Sequence, residues 1–164
     1  SRLTEKEHIA AFIRFASDGI EVEEALHGSF LKGVVPAPEE ISPTCLLYTS
    51  VLQAQALAPV EVEAAAVLPC FWVYQQVGQQ IIARQQGSAN PYAQWIETYA
   101  DPTFAEATAR AIGICDALAE KTGPETRHRM TDTFLRCKCA IPFFHRWNGR
   151  FLKYHLSFFF SRQR

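Results

Sequence analysis

The sequence predicts an all-α fold, an antiparallel bundle of helices joined by short loops. Three observations predict it. Apolar residues recur at intervals of three and four through most of the chain, the spacing of one helix face. No stretch alternates apolar and polar residues with the period of a strand. Proline and glycine cluster between the periodic segments, at Val34 to Ile41, Gly87 to Pro91 and Gly123-Pro124.

Each element has its own signals. Thr4-Glu-Lys-Glu7 has the spacing of a capping box, and Ile9, Phe12, Ile13, Ala16 and Ile20 follow at helical intervals. Asp18-Gly19 predicts a break or bend there. Val22, Ala25, Leu26 and Phe30 carry a second stripe, which Gly33 ends as a C-terminal cap. His27 reads as a helix-face histidine, since no second ligand stands at a metal-binding spacing. Pro36 and Pro38 make Val34 to Ile41 a loop. Ser42-Pro43 starts the next helix, with Ser as cap and Pro at the first position, and Leu47, Tyr48, Val51 and Leu52 form its apolar face.

Pro59 opens the longest pattern, Val60 to Gln86, with Glu61 and Glu63 complementing the dipole of the first turn. Ala64, Ala65 and Ala66 permit close helix approach. Pro69 removes an amide donor and crowds the carbonyl of Ala65, so a kink or loosened turn is expected beside Cys70. Cys70 and Tyr74, four residues apart, share a face. Phe71 and Trp72 point away from it and read as packing. After the loop Gly87 to Pro91 come a short helix from Tyr92 to Tyr99 and another that Asp101-Pro102 caps and starts. Phe104, Thr108, Ala111, Cys115 and Leu118 lie on one face of the latter, with Cys115 in the core. Gly123-Pro124 stops it. Met130, Phe134, Cys137 and Ile141 give a last amphipathic pattern, interrupted by Pro142.

Composition bounds the function. A chain of 164 residues with 48% hydrophobic and 20% charged residues can bury one core. Five cysteines without a pair of CxxC motifs, and no secretory leader, lead to the expectation of a reducing cytoplasmic compartment. No apolar run reaches the ~18 residues of a membrane span. Net charge is −1, yet Ser1 to Thr126 holds 7 Lys+Arg against 16 Asp+Glu, and Arg127 to Arg164 holds 9 against 1. The body is acidic where a DNA-binding protein is basic, so nucleic acid is not an expected partner. Cys137-Lys-Cys139 with His145 falls short of a metal motif.

A lone cysteine on a helix face is most often a small buried hydrophobe. The surrounding residues change that reading. Leu68-Pro-Cys-Phe-Trp-Val-Tyr-Gln-Gln-Val-Gly78 resembles the signature helix of the TenA, or thiaminase II, family of the cysteine-containing class. Asn90-Pro-Tyr-Ala-Gln-Trp-Ile-Glu-Thr-Tyr-Ala100 resembles the stretch that follows it, and Glu24-Ala-Leu-His27, Pro36-Ala-Pro38 and Ser42-Pro-Thr-Cys-Leu-Leu-Tyr48 the stretch that precedes it. The blocks keep the family's order from about Glu21 to Arg129.

The resemblance implies a heme oxygenase-like bundle, hydrolysis of an aminopyrimidine or thiamin to hydroxymethylpyrimidine in thiamin salvage, no cofactor, and a homotetramer. Carried over by position, Cys70 is the nucleophile, and Tyr48, Tyr74 and Tyr99 line the substrate site. A pyrimidine-binding or truncated inactive relative is the alternative, because the chain departs from the family at both ends. It opens partway into the pattern, without the first helices. A TenA-like domain is expected over residues 1–141 and an atypical basic, aromatic tail over 142–164. No acidic residue follows Asp132, so the family's catalytic glutamate has no counterpart. The tail fits a frameshift: one codon choice for His145 to Phe151, read one base earlier, gives Ser-Ser-Met-Glu-Trp-Gln-Val. Resequencing the gene tests this, and an in-frame tail from Arg136 onward rejects it.

Overall fold

The computed structural model describes residues 2–30, 32–33, 43–84 and 93–140, with the side chains of residues 30, 43–48 and 139–140 outside that description. The described residues form six α-helices: α1 (Lys6–Phe30), α2 (Pro43–Ala54), α3 (Val60–Arg84), α4 (Ala93–Ala100), α5 (Pro102–Glu120) and α6 (Pro124–Ala140). A 3₁₀ turn, Gln55–Leu57, continues from α2. No strand occurs among the described residues, so the all-α expectation holds. The loops expected at Val34 to Ile41 and Gly87 to Pro91, the Ser42 cap, and the tail from Ile141 lie outside the described residues.

The break or bend expected at Asp18-Gly19 does not take the form of a break. α1 runs unbroken through Asp18-Gly19 for 25 residues. A glycine inside a helix costs only about 1 kcal/mol relative to alanine, which tertiary packing outweighs. Ala11 and Leu26, on either side of the glycine, are both buried, and α1 is fastened on either side of it as well. The Phe15 ring meets Phe71 of α3 edge-on at 5.0 Å, and Ser29 donates to Gln94 of α4 at 2.6 Å. The helix begins at Lys6, with the Ile9 amide on the Glu5 carbonyl at 3.0 Å. Gly33, beyond its C-terminal end, has φ +81°, the left-handed conformation that a terminating glycine supplies.

α3 is the element the others pack on. It lies against α6, α4 and α5. Pro59 prepares its start: its carbonyl accepts from the amides of Val62 and Glu63 at 2.9 and 3.0 Å. Ala64, Ala65 and Ala66 are all buried, as close helix packing requires. Val62 and Ala65 form a core with Met130 of α6. Pro69 lies inside α3, among the most deeply buried side chains, and the helix continues across it. Phe71 and Trp72 pack as expected, Trp72 against Phe134 of α6 with ring centroids 5.4 Å apart.

The later boundaries follow local chemistry. Asp101 caps α5 by accepting from the Thr103 amide at 2.7 Å, with Pro102 at the first helical position. Hydrogen bonding from the Thr103 side chain first, and then from its amide, holds the Asp101 carboxyl below the usual range. Thr108, Ala111, Ile114 and Cys115 are the buried face of α5. Gly123-Pro124 separates α5 from α6. Lys121, just past α5, pairs with Glu5 at 3.0 Å and closes the N-terminus of α1 onto this corner.

Candidate active site

Two helices build the site. α3 carries Cys70 and Tyr74 one turn apart. α4 is short and amphipathic, with Ile96 and Tyr99 as its buried residues. It reaches α3 at a glycine: a β-carbon on Gly78 would lie 3.0 Å from the Tyr99 carbonyl carbon and 3.1 Å from the Ala100 nitrogen. A β-carbon there would be tighter than ordinary van der Waals contact, so a glycine suits this approach.

That contact sets the aromatic rings. Tyr74 and Tyr99 stack with centroids 5.0 Å apart and planes at 30°. Trp95 leans on both, 6.1 Å from Tyr74 and 4.7 Å from Tyr99. Phe104 of α5 closes the far side of Tyr99 edge-on at 5.2 Å. Such arrays are held by apolar burial and ring quadrupoles together.

A carboxylate completes the group. The Tyr99 hydroxyl donates to Glu23 Oε1 of α1 at 3.0 Å. The other Glu23 oxygen lies 3.4 Å from His27 Nε2, one turn along α1. Burial pushes the Tyr74 phenol up, and the nearby Cys70 and Glu23 push it further. Tyr99 is raised more strongly, first by burial and then by Glu23, with Tyr74 and Cys70 adding. Cys70 thus sits within electrostatic reach of both phenols. Both tyrosines remain protonated donors at neutral pH.

The other described thiols differ. Cys115 is buried in α5, its thiol pushed up to about 12 by burial and by Asp116. Cys137 of α6 is buried and pushed up to about 11 by burial and by Cys70. Among the described residues, no group of three His, Cys, Asp or Glu side chains is arranged to hold a metal ion. No described helix is long and apolar enough to cross a membrane.

Of the four residues singled out in the sequence, Cys70, Tyr74 and Tyr99 come together. Tyr48 lies in α2, and its side chain is outside the described residues. Sequence reasoning missed Glu23. It is 76 residues from Tyr99, and no local pattern marks it.

Residues 7–140 match the TENA/THI-4/PQQC family. The chain belongs to that family. The described helices accordingly have a heme oxygenase-like fold. This TENA/THI-4/PQQC member is 37% identical over 126 residues to the thiamine biosynthesis multifunctional protein ThiED of Corynebacterium efficiens, covering 73% of this chain and 16% of that protein. It is 34% identical over 121 residues to the aminopyrimidine aminohydrolase of Bacillus subtilis, covering 70% of this chain and 51% of that protein. The aminopyrimidine aminohydrolase of Halalkalibacterium halodurans is 28% identical over 137 residues, 77% of this chain and 60% of that one. The chain therefore spans about half the length of the Bacillus relative and a smaller share of ThiED.

Proposed function

We propose that this chain is an aminopyrimidine aminohydrolase, a hydrolase of C–N bonds in thiamin salvage, with Cys70 as nucleophile and Tyr74, Tyr99 and Tyr48 as substrate-binding residues. One observation carries the reading: a cysteine stands beside two stacked, protonated tyrosines, in a family with relatives named for this reaction. Aromatic phenols offer a face to a flat heterocycle, and the Tyr74 hydroxyl can donate to one of its nitrogens.

The chemistry needs a soft nucleophile. The Cys70 thiolate adds to the pyrimidine ring, forming a C–S bond and breaking aromaticity. The ring electrons then expel the amine from the exocyclic methylene, which departs with a proton. Water adds to that methylene carbon and gives up a proton. Return of the electrons releases the thiolate and restores the ring, leaving the hydroxymethylpyrimidine. Sulfur suits the first step because it is strongly nucleophilic even when little ionised.

The same reading includes a cytoplasmic oligomer, a tetramer by resemblance. Ile13 and Ile20, 65% and 61% exposed, stand seven residues apart on one face of α1, an apolar surface that a second copy would cover. Pyrimidine binding without turnover is the second reading, for which residues 133–164 hold no Asp or Glu to serve as acid or base. Incubating the chain with 4-amino-5-aminomethyl-2-methylpyrimidine and measuring released ammonia separates the two. Catalytic release supports the hydrolase, and saturable binding without release supports the binding protein.

A further inference from the structure

Tyr99 has one phenolic proton, and the structure shows where it goes. Glu23 Oε1 is 3.0 Å from the Tyr99 oxygen, and an ionised carboxylate only accepts. The phenol is therefore the donor in this bond, and its proton is committed to α1. The remaining lone pairs of the Tyr99 oxygen can only accept.

The carboxylate is well placed to enforce this. His27 stands beside its second oxygen, so both oxygens have a neighbour. Tyr99 is 7% exposed and clamped between Tyr74, Trp95 and Phe104, so its oxygen is held beside Glu23 and the carboxylate alone decides which way the hydroxyl proton turns. Its backbone is fixed against Gly78. Glu23 itself is about half exposed, and its substitution leaves the core untouched.

We propose that Glu23 is a specificity-determining positioning residue: by holding the Tyr99 proton, it turns the Tyr99 oxygen into a dedicated acceptor that selects ligands presenting an N–H donor, the exocyclic amino group of an aminopyrimidine, over those presenting a carbonyl. This rests on the aminopyrimidine reading above, and it adds a residue and a rule of selection to it. A carbonyl oxygen against an oxygen that cannot donate leaves two acceptors facing each other, a mismatch worth about tenfold or more in affinity.

The test is equilibrium binding by calorimetry, independent of turnover. Two probes are compared: 4-amino-2-methylpyrimidine and its 4-oxo counterpart. The unaltered chain should prefer the amino compound by at least about tenfold. Glu23→Leu removes the acceptor, frees the Tyr99 proton to point at the ligand, and should cut that preference to within about threefold. Glu23→Gln keeps an acceptor oxygen and should retain most of it. Tyr99→Phe should lose the preference too, and adding Glu23→Leu to Tyr99→Phe should change nothing further, since Glu23 acts through Tyr99. If Glu23→Leu keeps the full preference while binding both probes, the inference is overturned and the aminopyrimidine reading stands. If the unaltered chain binds neither probe, both fall.

Discussion

Gly78 lies so close to the Tyr99 backbone that a β-carbon on it would crowd α4, 3.0 Å from the Tyr99 carbonyl carbon. The contact is the hinge of the site, because Tyr99 carries its ring into the stack with Tyr74 and its hydroxyl to Glu23. Gly78→Ala gains about 1 kcal/mol of helix propensity, yet its methyl must displace helical backbone, and overpacking of this kind costs about 1–3 kcal/mol. The expected result is a net loss of stability of about 1 kcal/mol. A shift of α4 should also lower turnover roughly tenfold. Thermal unfolding and ammonia release measure the two effects. An alanine variant that is more stable and equally active would mean that α4 yields freely.

Cys70→Ser should abolish hydrolysis while the circular dichroism of the helices is unchanged. Serine is close in size, but its hydroxyl ionises too little to add to an aromatic ring. Binding of a pyrimidine should survive, since Tyr74 and Tyr99 keep their stacking. Unchanged turnover in this variant would remove Cys70 from the mechanism.

Met130 of α6 is 7% exposed and packs on Val62 and Ala65 of α3. Truncating a buried methionine to alanine removes apolar contact and leaves a void, at a cost of about 2–5 kcal/mol. Met130→Ala should fall in that range in urea unfolding. A loss below about 0.5 kcal/mol would mean that α3 and α6 do not depend on this contact.

These positions differ in how far the sequence disclosed them. The helix of Cys70 and Tyr74 was legible because its period, its first-turn carboxylates and its alanines all agree. The start of α5 was legible from Asp101-Pro102 alone, since a capping bond is local. Of the break or bend expected at Asp18-Gly19, the break does not occur, for a related reason: glycine speaks of local preference, whereas α1 is held by Phe15 and Ser29 against other helices. Glu23 and the Gly78 contact stayed hidden because each depends on a residue distant in sequence. A glutamate on a helix face looks the same whether it meets water or a buried phenol.

The buried thiols predict a pH response. Cys115 and Cys137 are raised from 9.0 to about 12 and about 11. The folded chain therefore keeps their protons where the unfolded chain gives them up. Below pH 9 both states are protonated, and the contribution is fully present. As pH rises from about 9 through 11 and 12 it is lost, so alkaline unfolding should steepen across that window. The raised phenols of Tyr74 and Tyr99 act with the same sign at somewhat higher pH. At pH 8 the thiolate fraction of Cys137 is about one in 10³, and that of Cys115 about one in 10⁴. Neither should react with a disulfide reagent in the folded chain, and both should react once urea exposes them. Mass mapping of the labelled peptides reads this site by site. Prompt labelling of Cys115 or Cys137 under native conditions would mean that α5 or α6 opens on the timescale of the reagent.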